Sequence, residues 1–113
     1  MMSGTGSAFF LTHHEENGAE YYILTGKDSG FEHFIVTEGL YVADSKQQML
    51  AMLGAMLDFM TDKSQKKLAT WKHEGVKIMK TGVMNSYTID MDIYGAVVTP
   101  KLIKKIIKKL EKY

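Results

Sequence analysis

Residues 8–25 read AFFLTHHEENGAEYYILT and have the composition of two β-strands. Aromatic and branched apolar side chains are frequent in residues 8–14 and 20–25, and such side chains favour extended backbone. Asn17 and Gly18 between them form the preferred pair for a two-residue hairpin turn, in which both residues take a positive φ. We therefore predict an antiparallel β-hairpin with its turn at these two residues.

The position of the turn determines which residues of the two strands face each other. It sets Leu11 opposite Leu24, and it also sets His13 opposite Tyr22. One face of the hairpin then carries four apolar side chains: Phe9, Leu11, Tyr22 and Leu24. The other face carries Phe10, Tyr21 and Ile23, so both faces of the predicted sheet are apolar.

A third strand is expected after the hairpin. The sequence GKDSG at residues 26–30 is typical of a turn, and residues 31–37 have the apolar and branched side chains of a strand. Glu38 and Gly39 interrupt this strand before a short apolar run at residues 40–43. Because the three strands follow one another in the chain, we predict an antiparallel meander.

Two helices are predicted in the middle of the chain. Asp44 and Gln47 resemble a capping box, and residues 45–60 repeat apolar side chains at helical spacing. Residues 62–73 are expected to form a shorter helix, which Gly75 would end in the left-handed conformation.

Two further strands and a terminal helix are predicted in the remainder. Residues 76–80 predict a short strand, and residues 87–94 alternate between apolar and polar side chains. The side chains expected to point inward are Tyr87, Ile89, Met91 and Ile93. Thr99 and Pro100 mark the start of the last helix, as its N-cap and its first-turn proline.

The element order β-β-β-α-α-β-β-α predicts an α+β domain, an antiparallel sheet of about five strands with helices packed on one face. Residues 1–7 are mostly small and polar and are expected to form a flexible leader, so that residues 8–113 make up a single domain. With 113 residues and 45% hydrophobic content, the chain can bury a core without a metal or a disulfide.

The composition excludes several kinds of site. The chain has no cysteine, and therefore no disulfide, thiolate zinc site or cysteine nucleophile. No serine or threonine lies in a nucleophile-elbow context, so we expect no enzyme activity, cofactor or identifiable small-molecule substrate. The longest apolar run is too short to span a bilayer and the N-terminus lacks a signal-peptide pattern, so we expect a cytoplasmic protein without membrane contact.

Two pairs of side chains are candidate ion ligands. His14 and His33 fall on the same face of the predicted sheet, but a site needs a third ligand that the sequence does not identify. Asp90 and Asp92 also share a face, without a phosphate-binding loop or a third acid nearby. The sequence leaves open whether either pair binds an ion, and we predict no metal site and no catalytic residue.

Charge is distributed unevenly along the chain. Residues 1–44 carry seven acidic side chains and one lysine, whereas residues 101–113 carry six lysines and one acid. The six lysines occupy one side of the terminal helix, opposite an apolar stripe: Lys101, Lys104, Lys105, Lys108, Lys109 and Lys112. Because a lysine face attracts phosphate groups, the alternative hypothesis is a nucleic-acid-binding protein that uses this helix. The absence of arginine weakens any specific reading of bases.

The helix predicted at residues 45–60 has apolar side chains around most of its circumference. Five of these are the candidates for a partner-binding or self-association face: Met49, Met52, Met56, Phe59 and Met60. Methionine suits a surface that adapts to another protein, and plain core packing is the alternative. With the second apolar face of the sheet, this surplus predicts a homo-oligomer. The main hypothesis is a small non-enzymatic protein–protein interaction module that self-associates and binds a macromolecular partner.

Overall fold

The structure, a computed structural model, describes residues 6–29, 35–62, 70–80, 86–89 and 96–113. Within these ranges the chain forms seven β-strands and two α-helices, so the predicted α+β class is confirmed. The elements are β1 (Gly6–Glu16), β2 (Ala19–Ser29), β3 (Ile35–Ala43), α1 (Lys46–Thr61), β4 (Thr70–His73), β5 (Val76–Lys80), β6 (Tyr87–Ile89), β7 (Ala96–Val98) and α2 (Pro100–Glu111).

The first sheet is antiparallel, with the strand order β1-β2-β3. Asn17 and Gly18 form the turn between β1 and β2 with φ values of 54° and 82°, as predicted from their side chains. The register is also the predicted one, because Leu11 pairs with Leu24. Turn chemistry and the alternation of side chains are therefore sufficient to define this hairpin.

The connection from β2 to β3 differs from the prediction. Residues 26–29 continue β2 and pair with β3, so the turn predicted at 26–30 is wrong over this part. The predicted break at Glu38 and Gly39 is a β-bulge instead, because Leu40 has no partner on β2 while the pairing continues on both sides of it. Residues 30–34, which include part of the predicted third strand, lie outside the described residues.

The second sheet is antiparallel, with the strand order β4-β5-β6-β7, so the single sheet of about five strands is wrong. Residues 70–73 form β4 and not the end of a helix, whereas residues 63–69 lie outside the described residues. Glu74 and Gly75 form a two-residue turn between β4 and β5 with φ values of 48° and 87°. Gly75 has the predicted positive φ, but it lies in a hairpin and not at a helix end.

The strand predicted over residues 87–94 is described in part. Tyr87 and Ile89 in β6 are buried and Thr88 is half-buried, in agreement with the predicted alternation. Residues 90–95 lie outside the described residues. β7, which pairs with β6 through Val98 and Tyr87, was not predicted.

Both helices begin at capping residues close to the predicted ones, and only the cap of α1 is shifted, by one residue. The N-cap of α1 is Ser45, whose hydroxyl accepts a 3.1 Å hydrogen bond from the Gln48 backbone N–H. The Gln48 side-chain oxygen accepts in turn from the N–H of Asp44, the residue before the N-cap, at 3.0 Å, so the cap lies one residue later than predicted and differs from a capping box in this second bond. Thr99 is the N-cap of α2, as predicted, and its hydroxyl accepts from the Leu102 N–H at 3.2 Å.

The two helices and both sheets share one hydrophobic core. α1 contacts β2, β3 and α2, and α2 contacts β1. The Phe59 ring of α1 packs against Trp71 of β4 at 6.1 Å and against Tyr87 of β6 at 5.6 Å, so α1 joins the second sheet to the first. β7 lies against β1, which brings the two sheets together along these strands.

Candidate interaction surfaces

The apolar residues of α1 face the core. The five candidates for a self-association face are at most 6% exposed: Met49, Met52, Met56, Phe59 and Met60. They are buried because α1 packs against both sheets and α2, so more than one side of the helix is covered within the same chain. In the folded chain these side chains therefore offer no surface to a partner, and an interaction surface has to be sought elsewhere.

The face of the first sheet that points away from the core carries a second set of apolar and aromatic side chains. We call six of them the open patch: Phe10, Thr12, His14, Tyr21, Ile23 and Val42. Val42 is exposed and the other five are half-buried. The ladder aligns Thr12, Ile23 and Val42 in one row across the three strands.

Two hydrogen-bond contacts within the open patch engage the Thr12 hydroxyl and His14 Nε2. The Thr12 hydroxyl lies 2.8 Å from His14 Nε2 and donates a 3.4 Å hydrogen bond to the Ile23 carbonyl. The His14 ring stacks on the Tyr21 ring with centroids 5.0 Å apart and an interplanar angle of 11°. These contacts fix the side chains on the sheet and reduce their need for water.

The sequence identified three of the six residues as an apolar second face, namely Phe10, Tyr21 and Ile23. Val42 was not identified. The alternation that places Tyr41 and Ala43 in the core puts Val42 on the opposite face, so the strand period was the available signal.

The outward face of the second sheet is apolar and positively charged. Met79 and Val97 are exposed, and Thr88 lies between them in the ladder. Lys72 and Lys77 form a directly opposed pair on the same face. This face therefore differs in charge from the open patch, whose six residues include neither an acid nor a lysine.

The lysine face of α2 is exposed to solvent. All six of the predicted lysines are exposed: Lys101, Lys104, Lys105, Lys108, Lys109 and Lys112. Lys109 donates a 3.2 Å hydrogen bond from Nζ to the Leu11 carbonyl of β1. Among the described residues, none of the six lies within ion-pair distance of a carboxylate. Opposite them, Ile103, Ile106 and Leu110 are buried in the core, which matches the predicted stripe.

A cleft of about 600 Å³ opens between the hairpin turn and the start of α1. Its lining residues are Gly18, Glu20, Tyr22, Asp44, Ser45, Lys46 and Tyr113. Lys46 Nζ donates a hydrogen bond to the Tyr113 carbonyl across this cleft. Burial, followed by the nearby charge of Glu20 and by Tyr113, raises the pKa of Tyr22 above its usual value, so this hydroxyl stays neutral.

Aromatic packing joins the end of α2 to the hairpin beside this cleft. The His13 ring stacks on Tyr113 at 4.7 Å and lies 5.0 Å from the Tyr22 ring. His13 Nε2 is 3.3 Å from Glu20 Oε1, which is an ion-pair distance, but the geometry is not that of a hydrogen bond and this buried nitrogen has no hydrogen-bond partner. The approach of His13 to Glu20 therefore contributes no hydrogen bond, and the contacts among the aromatic rings hold the end of α2 against the hairpin.

Only one of the predicted ion ligands, His14, lies in the described part of the chain. His14 lies in the open patch, where Thr12 and Tyr21 contact its ring. His33, Asp90 and Asp92 lie outside the described residues. Within the described part of the chain, no group of three or more histidine, cysteine, aspartate or glutamate side chains is arranged to hold a metal ion.

No protein-family model, curated protein or solved structure matches this chain. In the ranges that the structure describes, no helix is both long and apolar enough to cross a membrane. The surfaces themselves are therefore the basis for a functional proposal.

Proposed function

We propose that this chain is a small non-enzymatic protein–protein interaction module that self-associates and binds a macromolecular partner. The observation that carries this proposal is the exposure of apolar side chains on the outward faces of the sheets. Val42, Met79 and Val97 are 43–53% exposed there and are three of the four exposed large hydrophobic side chains among the described residues. Covering such a face with a second surface removes apolar area from water, which favours association.

The two outward faces suit different tasks. The open patch of the first sheet is suited to self-association, because it contains neither an acid nor a lysine. The outward face of the second sheet combines Met79 and Val97 with Lys72 and Lys77, so it is suited to a partner whose apolar contact is bordered by acidic side chains. The cytoplasmic location stays a prediction from the sequence.

Sedimentation equilibrium tests self-association directly. The purified chain is measured from about 1 μM to about 300 μM, the range in which weak dimers with micromolar dissociation constants form. We expect a concentration-dependent dimer that persists at high salt, because apolar contacts are not screened by ions. A monomer at every concentration would contradict the proposal.

A second candidate function is nucleic-acid binding through α2, favoured by its exposed lysines without carboxylate partners in the described part of the chain. Fluorescence anisotropy with a labelled oligonucleotide should show binding that weakens steeply as salt rises. Lys105→Glu with Lys108→Glu should abolish it. The matched control is Lys72→Glu with Lys77→Glu, which makes the same charge change on the second sheet. No binding at low salt, or equal loss in both variants, would count against a role for α2.

A further inference from the structure

We infer that the open patch packs against the open patch of a second copy of this chain, so that two first sheets meet face to face about a two-fold axis. The inference rests on the self-association proposed above and adds which face is used and what covers it. Its basis is the charge, the hydrogen bonding and the area of this face.

The open patch can lose its water without leaving the Thr12–His14 pair unsatisfied. The Thr12 hydroxyl already has His14 Nε2 and the Ile23 carbonyl as partners. Burial of a polar group is costly mainly when its hydrogen bonds to water are not replaced, and here the replacement exists before association. The adjacent Ile23 and Val42 side chains then contribute apolar area to the contact.

The charges of the chain favour a second copy on this face and disfavour one on the other exposed faces. A two-fold contact places identical surfaces against each other. On the second sheet this arrangement would bring together the Lys72–Lys77 pairs of both copies, and on α2 it would bring together two lysine faces. The open patch contains neither an acid nor a lysine, although Glu16 and Lys27 lie beside it on the same sheet face. A highly charged foreign partner would have to bury its charges against six side chains that include neither an acid nor a lysine, which is unfavourable.

The area of the first sheet is close to the lower limit for a dimer. β1 and β2 have 11 residues each. At about 3.3 Å per residue and about 4.8 Å between strands, the whole face of three strands covers a footprint of about 500 Å², which includes Glu16 and Lys27 as well as the open patch. Stable interfaces bury at least about 600 Å² of accessible surface per partner. Accessible surface follows the contours of the side chains, so it is larger than the flat footprint of the same face. The face is therefore near the lower limit, and a dimer that dissociates on dilution is expected.

A matched pair of substitutions tests the inference. Val42 and Val97 are exposed to similar extents, 53% and 50%, and both lie on outward strand faces. Val42→Glu should raise the dimer dissociation constant on the order of a hundredfold, because the carboxylates are buried without partners. Val97→Glu makes the same chemical change on the second sheet and should leave the constant unchanged. Far-ultraviolet circular dichroism establishes that both variants are folded.

The outcomes separate this inference from the proposed function. A wild-type chain that is monomeric throughout overturns both. A wild-type dimer that Val42→Glu leaves intact, or that Val97→Glu dissociates instead, overturns the face-to-face arrangement and leaves self-association standing.

Cross-linking gives a second measurement that does not depend on the glutamate variant being folded. The chain has no cysteine, so Val42→Cys introduces a unique thiol. A short bis-maleimide should link two copies of Val42→Cys and should not link Val97→Cys at the same protein concentration. The reverse pattern, or equal linking of both, would place the contact elsewhere.

Discussion

The hydroxyl group of Tyr87 links the second sheet to the end of α1. It donates a 2.7 Å hydrogen bond to the backbone carbonyl of Met60, in the last turn of that helix. The Tyr87 side chain is 2% exposed, and its ring meets Phe59 edge-on at 5.6 Å. Tyr87→Phe removes the hydroxyl and retains the ring contact, so it tests the hydrogen bond by itself.

The expected effect follows from the burial of both bonding groups. A hydrogen bond of this kind contributes about 1 kcal/mol net, and a buried acceptor left without its donor adds a penalty of about 1–3 kcal/mol. Part of that penalty is offset because phenylalanine has no hydroxyl to remove from water. We expect the free energy of unfolding to fall by about 1.5 kcal/mol, which lowers the urea midpoint by about 1 M for a slope near 1.5 kcal/mol/M.

Trp71 supplies the assay, because it is the only tryptophan of the chain and its ring stacks on Phe59. Urea unfolding is followed by its fluorescence at one low protein concentration, since association would add stability. Tyr21→Phe is the control, because Tyr21 is half-buried on the outward face and should change stability by less than about 0.5 kcal/mol. If the two variants lose equal stability, the hydrogen bond to Met60 does not stabilise the junction.

Three further predictions concern the helix cap, the first hairpin and alkaline pH. Ser45→Ala removes the N-cap acceptor of α1 and should lower the free energy of unfolding by about 1 kcal/mol in thermal denaturation. Gly18→Ala should lower the free energy of unfolding in urea by about 1–2 kcal/mol, because φ of +82° is strained for alanine. An added Cβ would meet no atom within 4 Å, so the backbone strain is the whole expected effect. Burial raises the pKa of Tyr22, Tyr41 and Tyr87 above 10.0 in the folded chain. Their contribution to stability is therefore complete below pH 10.0 and should be lost as pH rises through the folded pKa values, which a pH series of unfolding free energies would measure.

The first hairpin and α2 could be predicted because the residues that determine them are local. Asn17 and Gly18 fix a turn and thereby a register, and no distant contact is needed to choose between alternatives. Thr99 and Pro100 mark the start of α2 in the same local way. The polar and apolar sides of α2 then follow from helical spacing alone.

β4, β7 and the division into two sheets were not predicted, because the determinants of the β4–β5 hairpin are distant in the sequence. Glu74 takes a positive φ of 48°, which its side chain does not signal. Its carboxylate accepts a 3.0 Å hydrogen bond from the Tyr41 hydroxyl, 33 residues earlier in the chain. A contact between β3 and this turn therefore supports the β4–β5 hairpin. Without that contact, the short sequence around Trp71 resembles a helix.

The methionine face of α1 illustrates the same limit for function. The spacing of apolar side chains predicted that most of α1 is buried. It did not indicate whether α1 is buried by other elements of the same chain or by a second chain. Phe59 illustrates this, because it contacts Tyr87 of a predicted strand and Trp71 of β4, a strand where the sequence predicted a helix, and both contacts are made within the chain. Self-association through surplus apolar surface stays a prediction, and the structure places exposed apolar side chains on the outward faces of the sheets.

The proposed dimer has a consequence for the lysine helix. α2 packs on the core side of the first sheet, whereas the open patch lies on the opposite side. Face-to-face packing of two first sheets would leave both lysine faces on the outside of the dimer, pointing away from the contact. A polyanion long enough to reach both would then bind two sites through one molecule, which strengthens binding without any new contact. Self-association and the nucleic-acid alternative are thus compatible, and Val42→Glu should weaken binding to a long polyanion more than binding to a short one.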